Sequence, residues 1–541
     1  MALRRSPVLS VLLALTTSLG VLMGVSAVPA AGRAASAEQT AAAVDAASVP
    51  TTGFRPVNIT ARDGVILKAN VIAPTTQGLH PAIVFVNSWG LNDAEYLAQA
   101  GALARRGYVV LSYTTRGFWG SGGQIDTAGP KDMADMSAAI DWLLANTSTD
   151  AAHIGAAGCS YGAGISLLAS AFEPRIRAVV AMSGWTDLVQ SLYGNDTRRP
   201  QAVWLLKVAA QLFGTPSAEL TNMINAYFAN EDLDPITQWG RIRSAVNYVD
   251  KINQNHPAIM MANSYGDSLF APNQLVDFLA KLTGPKRLEL APGDHVVAEG
   301  TGLIGLPNHV WSSATRWFDQ YLAGAPTGID AEPPVVLRRL GSPAVESYPD
   351  WAHVTGSTRR FNIGDVRWWD GTGPLSADSV EPNWSRSMWT GTDTTASAGV
   401  ALLTNGWTAL TGVPPIVWLP TVNRFNAGVW VSDPIDEGAA IRGMPKLHLS
   451  INCSAPKGTL IAYLYDTDAL GTGRLISHAP ITWLEPTNVL NLKFEATAYN
   501  VPAGHRLSLV VDSVDALYLG ANQNGTKVDF TGASWIDIPL K

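Results

Sequence analysis

Gly158-Cys159-Ser160-Tyr161-Gly162 stands where a short apolar run, residues 153–158, hands over to an amphipathic one, residues 162–172. A serine projected from a tight strand-to-helix turn occupies strained backbone, and its second neighbours on either side must be glycine-sized to avoid collision. The helix that begins there also directs N–H groups toward a developing oxyanion. Alone the five residues are a weak signal. The flanking strand and helix distinguish a nucleophile elbow from an ordinary tight turn.

Outward from the elbow, residues 57 to about 322 alternate short β-branched runs with longer amphipathic ones, which predicts an α/β domain: a mostly parallel sheet wrapped by helices. Strands are expected at residues 82–87, 109–113, 154–158, 178–183, 258–263 and 287–292. Helices are expected at 94–106, 132–145, 162–172, 273–282 and 310–322. The alternation breaks once, over residues 187–255, where only helical periodicity is found, marked by Trp204, Leu205, Val208, Leu212, Met223 and Phe228. This predicts a helical cap inserted between catalytic segments 53–186 and 256–330.

A serine hydroxyl is a poor nucleophile until a base takes its proton, so a carboxylate and then a histidine should follow Ser160 along the chain. His80 and His153 precede the serine, His256 precedes a strand, and His353, His448, His478 and His505 fall in a later region of different texture. His295 and His309 remain. His295 follows the last expected strand in Pro292-Gly293-Asp294-His295, at the carboxyl edge where such sites lie, and is the expected base. His309 opens the helix carrying Trp317 and Tyr321 and suits a capping or packing role. Asp267, in Asn263-Ser264-Tyr265-Gly266-Asp267 after the preceding strand, is the expected acid. Its competitor Asp294 is adjacent to the histidine in a turn, and a turn or cap role suits it better. The oxyanion needs two donors: the backbone N–H of Tyr161, and one from Asn87-Ser88-Trp89-Gly90 after the 82–87 strand.

Composition narrows the function classes. The 541 residues are 47% hydrophobic and 15% charged, below the roughly 25% charged of an average soluble protein, so large cores are expected and disorder is not. A net charge of −7 offers no footprint for nucleic acid or an anionic membrane. Cys159 and Cys453 are too far apart for a disulfide scaffold and are expected as free, buried thiols. No metal-ligand cluster, phosphate loop or dinucleotide fingerprint is present, so no metal and no cofactor are expected.

Past Pro333 the texture turns to proline, tryptophan and period-two runs. Leu447, Leu449, Ile451 and Cys453 alternate with polar neighbours, as do Leu490, Leu492 and Phe494, and Leu507, Leu509 and Val511, each reading as a half-buried strand. Residues 334–541 are therefore expected to form an antiparallel β-sandwich. Ten of the 18 tryptophans fall here, and core filling is the expected role rather than a glycan-stacking surface. At the other end, Arg4 and Arg5 precede an apolar run from Val8 to Val25, followed by small residues. This reads as a signal peptide, residues 1–37, ahead of an Ala-rich tether, 38–52, and predicts a secreted protein with no stable membrane insertion after cleavage.

The chain also resembles the Xaa-Pro dipeptidyl-peptidase and cocaine-esterase group of α/β-hydrolases over nearly everything after Thr51. The resemblance rests on Thr115-Arg116-Gly117 with Gly120-Ser121-Gly122, on Asp135 and Asp141-Trp142-Leu143, on the elbow, on Gly266-Asp267 and on Pro292-Gly293-Asp294-His295. It continues into Pro502-Ala503-Gly504-His505-Arg506-Leu507, which looks like a late strand of that group's C-terminal jelly roll. The resemblance implies a tyrosine oxyanion donor in the loop after the third strand, where this chain has Trp89. Either the Trp89 indole N–H or the loop backbone then supplies the second donor. Before Thr51 there is only leader and tether, without the helical domain of the lactic-type peptidases.

Together these readings predict a secreted serine hydrolase that forms an acyl-enzyme on Ser160 and cleaves a small-molecule or peptide ester or amide beneath a helical cap. Oligomeric state is left open. An aminopeptidase would need an acidic pocket for the substrate amine, for which Glu231-Asp232-Leu233-Asp234 is a candidate beside its plainer role as helix-capping carboxylates. The two alternatives are a strict Xaa-Pro dipeptidyl aminopeptidase and a non-catalytic polymer-binding protein on a hydrolase scaffold.

Overall fold

The computed structural model describes residues 52–541 except 231, 232 and 524. The expected leader and nearly all of the tether lie outside the described residues. Ten strands form the first sheet: β1 (Thr52–Thr60), β2 (Ile66–Pro74), β3 (His80–Val86), β4 (Val109–Tyr113), β5 (Thr149–Cys159), β6 (Ile176–Met182), β7 (Ala258–Ser264), β8 (Lys286–Ala291), β9 (Val335–Arg338) and β10 (Val345–Tyr348). Their spatial order is β1-β2-β4-β3-β5-β6-β7-β8-β9-β10. Pairing from β4 and β3 through β9 is parallel, with antiparallel strands at both margins.

Parallel strands need crossover helices, which bury both sheet faces, and the central strands accordingly read as continuous apolar runs. One face packs on Tyr96, Leu103, Trp311, Trp317 and Phe318. The other packs on Met136, Ile140, Leu168, Leu275 and Phe278. Gly155 lets the helix His309–Tyr321 approach closely, since a Cβ there would lie 2.8 Å from Leu322 Cδ1. The chain leaves β3 for β4 on one side and returns to β5 on the other, so the loops after β3 and β5 meet at the switch point where such sheets place their ligands.

The described residues of 187–255 are mainly helical, with isolated β-bridges at Arg198, Gly214 and Pro216. Their last helix, Val249–Asn255, packs against the helix Tyr161–Phe172 rather than over the site. Four expectations are corrected. Residues 335–348, assigned to the sandwich, form β9 and β10 and extend the catalytic sheet, so the sandwich strands start at Ser357–Ile363. The proline-rich texture concealed that these residues continue the catalytic sheet.

The strand Arg506–Asp512 is buried on both faces, not half-buried. Leu507, Leu509 and Val511 enter the sandwich core, while Val510 packs beneath Ala396, Ala398, Ala401, Leu419 and Val422 from a segment folded over the outer face. Core filling describes Trp384, Trp430 and Trp483, but Trp389, Trp407 and Trp418 are exposed, as are Trp368 at 91% and Trp369 at 64%. Cys159 and Cys453 are both free, with Cys453 only half-buried. Among the described residues, no helix is long and apolar enough to cross a membrane.

Candidate active site

Ser160 follows β5 directly with φ 52° and ψ −113°, the strained geometry that throws its side chain clear of the sheet. The flanking glycines are sterically required: a Cβ on Gly158 would lie 2.6 Å from Gly162 C, and one on Gly162 would run into the Val86 carbonyl. His295 Nε2 lies 2.8 Å from Ser160 Oγ, and His295 Nδ1 lies 2.9 Å from Asp267 Oδ2. The other oxygen of Asp267 accepts from the backbone N–H groups of Leu269 and Phe270, which fixes the carboxylate plane. With Asp267 accepting at Nδ1, the Nε2 lone pair faces the serine hydroxyl.

Burial works against a charged His295, but the Asp267 carboxylate and its hydrogen bond outweigh burial, aided by Glu299 and Asp294, and hold the imidazole above its ordinary value. A base with a raised pKa is protonated, and lost, at a higher pH on acidification. The acid limb of kcat/KM on an uncharged ester should therefore lie above the usual imidazole range, and a limb below that range would contradict the geometry.

Asp294 is close but turned away: its Oδ1 accepts from Ser268 N–H, Ser268 Oγ–H and His295 N–H, not from the imidazole. Burial pushes its pKa up to about 6, with repulsion from Asp267 adding to the effect. His309 lines a separate, open depression with Gln99, Trp311 and Thr315. Sequence reasoning missed two carboxyls. Glu299 is fully buried one helical turn beyond His295, and burial pushes its pKa up to about 7. Glu95, pushed by burial up to about 7 as well, binds Ser88 N–H at 2.7 Å and Ser88 Oγ–H at 2.6 Å and so clamps the loop after β3. Neither has a local motif. Burial of the acid at such a position is visible only once the helices are packed.

In that loop Asn87 accepts from Thr115 N–H and donates to the carbonyls of Ser88 and Leu91, shaping the turn that carries Trp89. The indole does not face the serine. Its Nε1–H donates to the cap carbonyl of Leu206 at 2.9 Å, and the ring meets Tyr161 and Phe118 edge-on at 5.0 Å and 5.1 Å. Of the two donors left open for Trp89, the side chain is thus corrected to a cap anchor. Among the described residues no protein acceptor is assigned to the Trp89 backbone N–H. Trp89→Phe should accordingly cost about 1 kcal/mol of stability, through loss of the hydrogen bond that ties the loop to the cap helix. Its kcat should stay within about tenfold of wild type, whereas a fall of about 10²–10³-fold at constant KM would return the indole to the oxyanion. Thermal melts and ester kinetics on the one variant decide.

The other motif residues are supports. Arg116 makes a bidentate pair with Asp135 at 2.7 Å and 2.6 Å and reaches Asp63 at 2.8 Å. The Tyr161 hydroxyl donates to Asp132 at 2.7 Å, tying the elbow helix to the helix Pro130–Asn146.

Ser160 opens into an apolar cavity between sheet and cap, lined by side chains such as Trp185, Leu188, Val203, Leu206, Ile224 and Phe270. No carboxylate lines it among the described residues. Of the acidic candidates in the cap, Glu231 and Asp232 lie outside the described residues, and Asp234 is exposed in the first turn of the helix Leu233–Ile242. Also among the described residues, no group of three or more His, Cys, Asp or Glu side chains is arranged to hold a metal ion.

Comparison with known proteins finds two family models along the chain. X-Pro dipeptidyl-peptidase (S15 family) matches residues 63–297, and the X-Pro dipeptidyl-peptidase C-terminal non-catalytic domain matches residues 327–535. Similar solved structures include an α-amino acid ester hydrolase, at TM-score 0.71 and 16% identity over 93% of this chain and 98% of that one. An aminopeptidase from a marine sediment archaeon, Thaumarchaeota archaeon, follows at 0.67 and 14% over 94% and 99%. A CocE/NonD family hydrolase from Staphylococcus aureus gives 0.66 and 12% over 90% and 94%. An uncharacterized protein of Pseudomonas aeruginosa is 29% identical over 165 residues, covering 29% of this chain and 44% of that relative's length.

Proposed function

Because the chain belongs to the Xaa-Pro dipeptidyl-peptidase and cocaine-esterase group of α/β-fold serine hydrolases, we propose that it is a carboxylic ester hydrolase for substrates with an apolar acyl group. The observation that carries this reading is the cavity beside Ser160, apolar and without a carboxylate among the described residues. An acyl chain there replaces water at about 25 cal/mol per Å² of apolar surface buried. A free α-amine would be desolvated with no anion among the described residues to meet it. This bears on two structural neighbours, one named an α-amino acid ester hydrolase and the other an aminopeptidase.

In the proposed mechanism Ser160 Oγ attacks the ester carbonyl as His295 Nε2 takes its proton, and a C–O bond forms. Asp267 stabilises the resulting imidazolium. The tetrahedral oxyanion is held by the backbone N–H groups of Tyr161 and Trp89. His295 returns the proton to the leaving alcohol as the C–O bond to it breaks, which leaves an acyl-Ser160. Water, deprotonated by His295, then releases the acid.

The test is a p-nitrophenyl ester series set against Ala-Pro p-nitroanilide. kcat/KM should rise from acetate to butyrate or hexanoate, by about tenfold for each two or so methylenes buried, and exceed that for the anilide. An anilide turned over faster than the butyrate ester would overturn the esterase reading in favour of an Xaa-Pro peptidase. We propose secretion too, on the leader pattern of Arg4, Arg5 and Val8 to Val25. An exported protein whose N-terminus follows Ala37 supports it, and a cell-retained, full-length chain opposes it.

A further inference from the structure

The acid-bearing loop is gripped from outside the catalytic domain. Arg199, buried in the cap at the start of the helix Pro200–Phe213, donates Nη1–H to the Ser268 carbonyl at 3.2 Å and Nη2–H to Glu495 Oε1 of the sandwich at 2.9 Å. Its guanidinium lies 5.4 Å from the ring centre of Tyr518, also from the sandwich. Glu495 is itself fixed. Asn273 of the catalytic domain donates to the Phe494 carbonyl and accepts from Ala496 N–H, and Ser477 Oγ–H donates to the Glu495 carbonyl. On the other side of the loop, Leu402 N–H of the folded-over segment donates to Ser268 Oγ, which in turn donates to Asp294. Ser268, next to Asp267 in sequence, is therefore bonded to all three parts of the molecule.

Resting on the triad proposed above, we infer that Arg199 and Glu495 are positioning residues for Asp267, so that the C-terminal domain, whose family model is described as non-catalytic, helps set the base strength of His295. The Arg199 charge acts on Asp267, and the other groups facing the guanidinium are Glu495, Tyr518 and Tyr227. His478 stands behind them, 3.9 Å from Glu495 and hydrogen-bonded to the Tyr518 hydroxyl. His295 is faced by Asp267, Asp294 and Glu299. Removing the Arg199 cation leaves the surroundings of the Asp267–His295 pair more negative and favours the imidazolium. Removing the Glu495 anion does the reverse.

The test is the pH dependence of kcat/KM for Arg199→Met, Arg199→Lys and Glu495→Gln on one uncharged ester, alongside thermal melts and Ser160→Ala. In Arg199→Met the acid limb should move up by about one pH unit and kcat fall by about 10–100-fold with little change in KM. Glu495→Gln should move the limb down, and Arg199→Lys should keep the wild-type limb while losing part of kcat because it lacks the fork. Glu495→Gln conserves shape, so it carries the test even if Arg199→Met does not fold. Lower melting temperatures with an unmoved limb in every folded variant would reduce the contact to a structural one and overturn the inference. Turnover that survives in Ser160→Ala would instead overturn the triad on which it rests.

Discussion

Ser160→Ala and His295→Ala should each lower kcat on the best ester by about 10⁵–10⁶-fold, to nearly the same residual rate, and the double variant should be no worse than either. The reason is geometric. With Oγ 2.8 Å from Nε2, neither group does chemistry without the other: the hydroxyl is not a nucleophile until the imidazole takes its proton, and the imidazole has no acyl acceptor of its own. Substrate binding should survive in both, since the cavity is lined chiefly by cap and core side chains that neither change touches. Steady-state kinetics with a long acyl ester, together with equilibrium binding of a non-hydrolysed analogue, measure the two halves separately. Additive losses in the double variant would mean that the two residues do not act as a unit.

Asp267→Asn should cost about 10⁴-fold in kcat, while Asp294→Asn should cost no more than about tenfold. The two carboxyls are both fully buried and both close to His295, but they are bonded differently. Asp267 accepts at the imidazole Nδ1 at 2.9 Å; an amide there donates as readily as it accepts and favours the tautomer with its proton on Nε2, which cannot deprotonate Ser160. Among the described residues Asp294 accepts only from Ser268 and the backbone of His295. Its loss should appear as a lower melting temperature with the acid limb of the pH profile displaced only slightly. A reversal of the two effects in parallel kinetics would reassign the acid.

What the sequence disclosed and what it concealed divide by the range of the interaction. The elbow could be read because its requirement is local: Ser160 needs glycines two residues either side, and the clashes a Cβ would make involve Gly162 and the neighbouring strand β3. Asp267 and His295 could be placed because successive parallel strands must deliver their loops to one edge of the sheet. The direction of the Trp89 indole could not, because its acceptor, the Leu206 carbonyl, lies in a cap helix whose docking no local pattern specifies. Arg199 and Glu495 were invisible for the same reason, being 296 residues apart in the chain. The strands Val335–Arg338 and Val345–Tyr348 were assigned to the wrong sheet because strand composition reports burial but not the partner. Likewise, the alternation in Leu507, Leu509 and Val511 identified one buried face, and the second became buried only through the fold of residues 396–422 over Val510.

The most direct test of an acyl-enzyme built on Ser160 is to treat the folded protein with a fluorophosphonate and map the adduct by peptide mass spectrometry. One adduct per chain on Ser160, absent from Ser160→Ala and strongly slowed in His295→Ala, is the expected result, because among the described residues only this serine has an oriented imidazole at 2.8 Å as its base. An adduct on a different residue, or a wild-type protein that stays unlabelled while it hydrolyses esters, would contradict it.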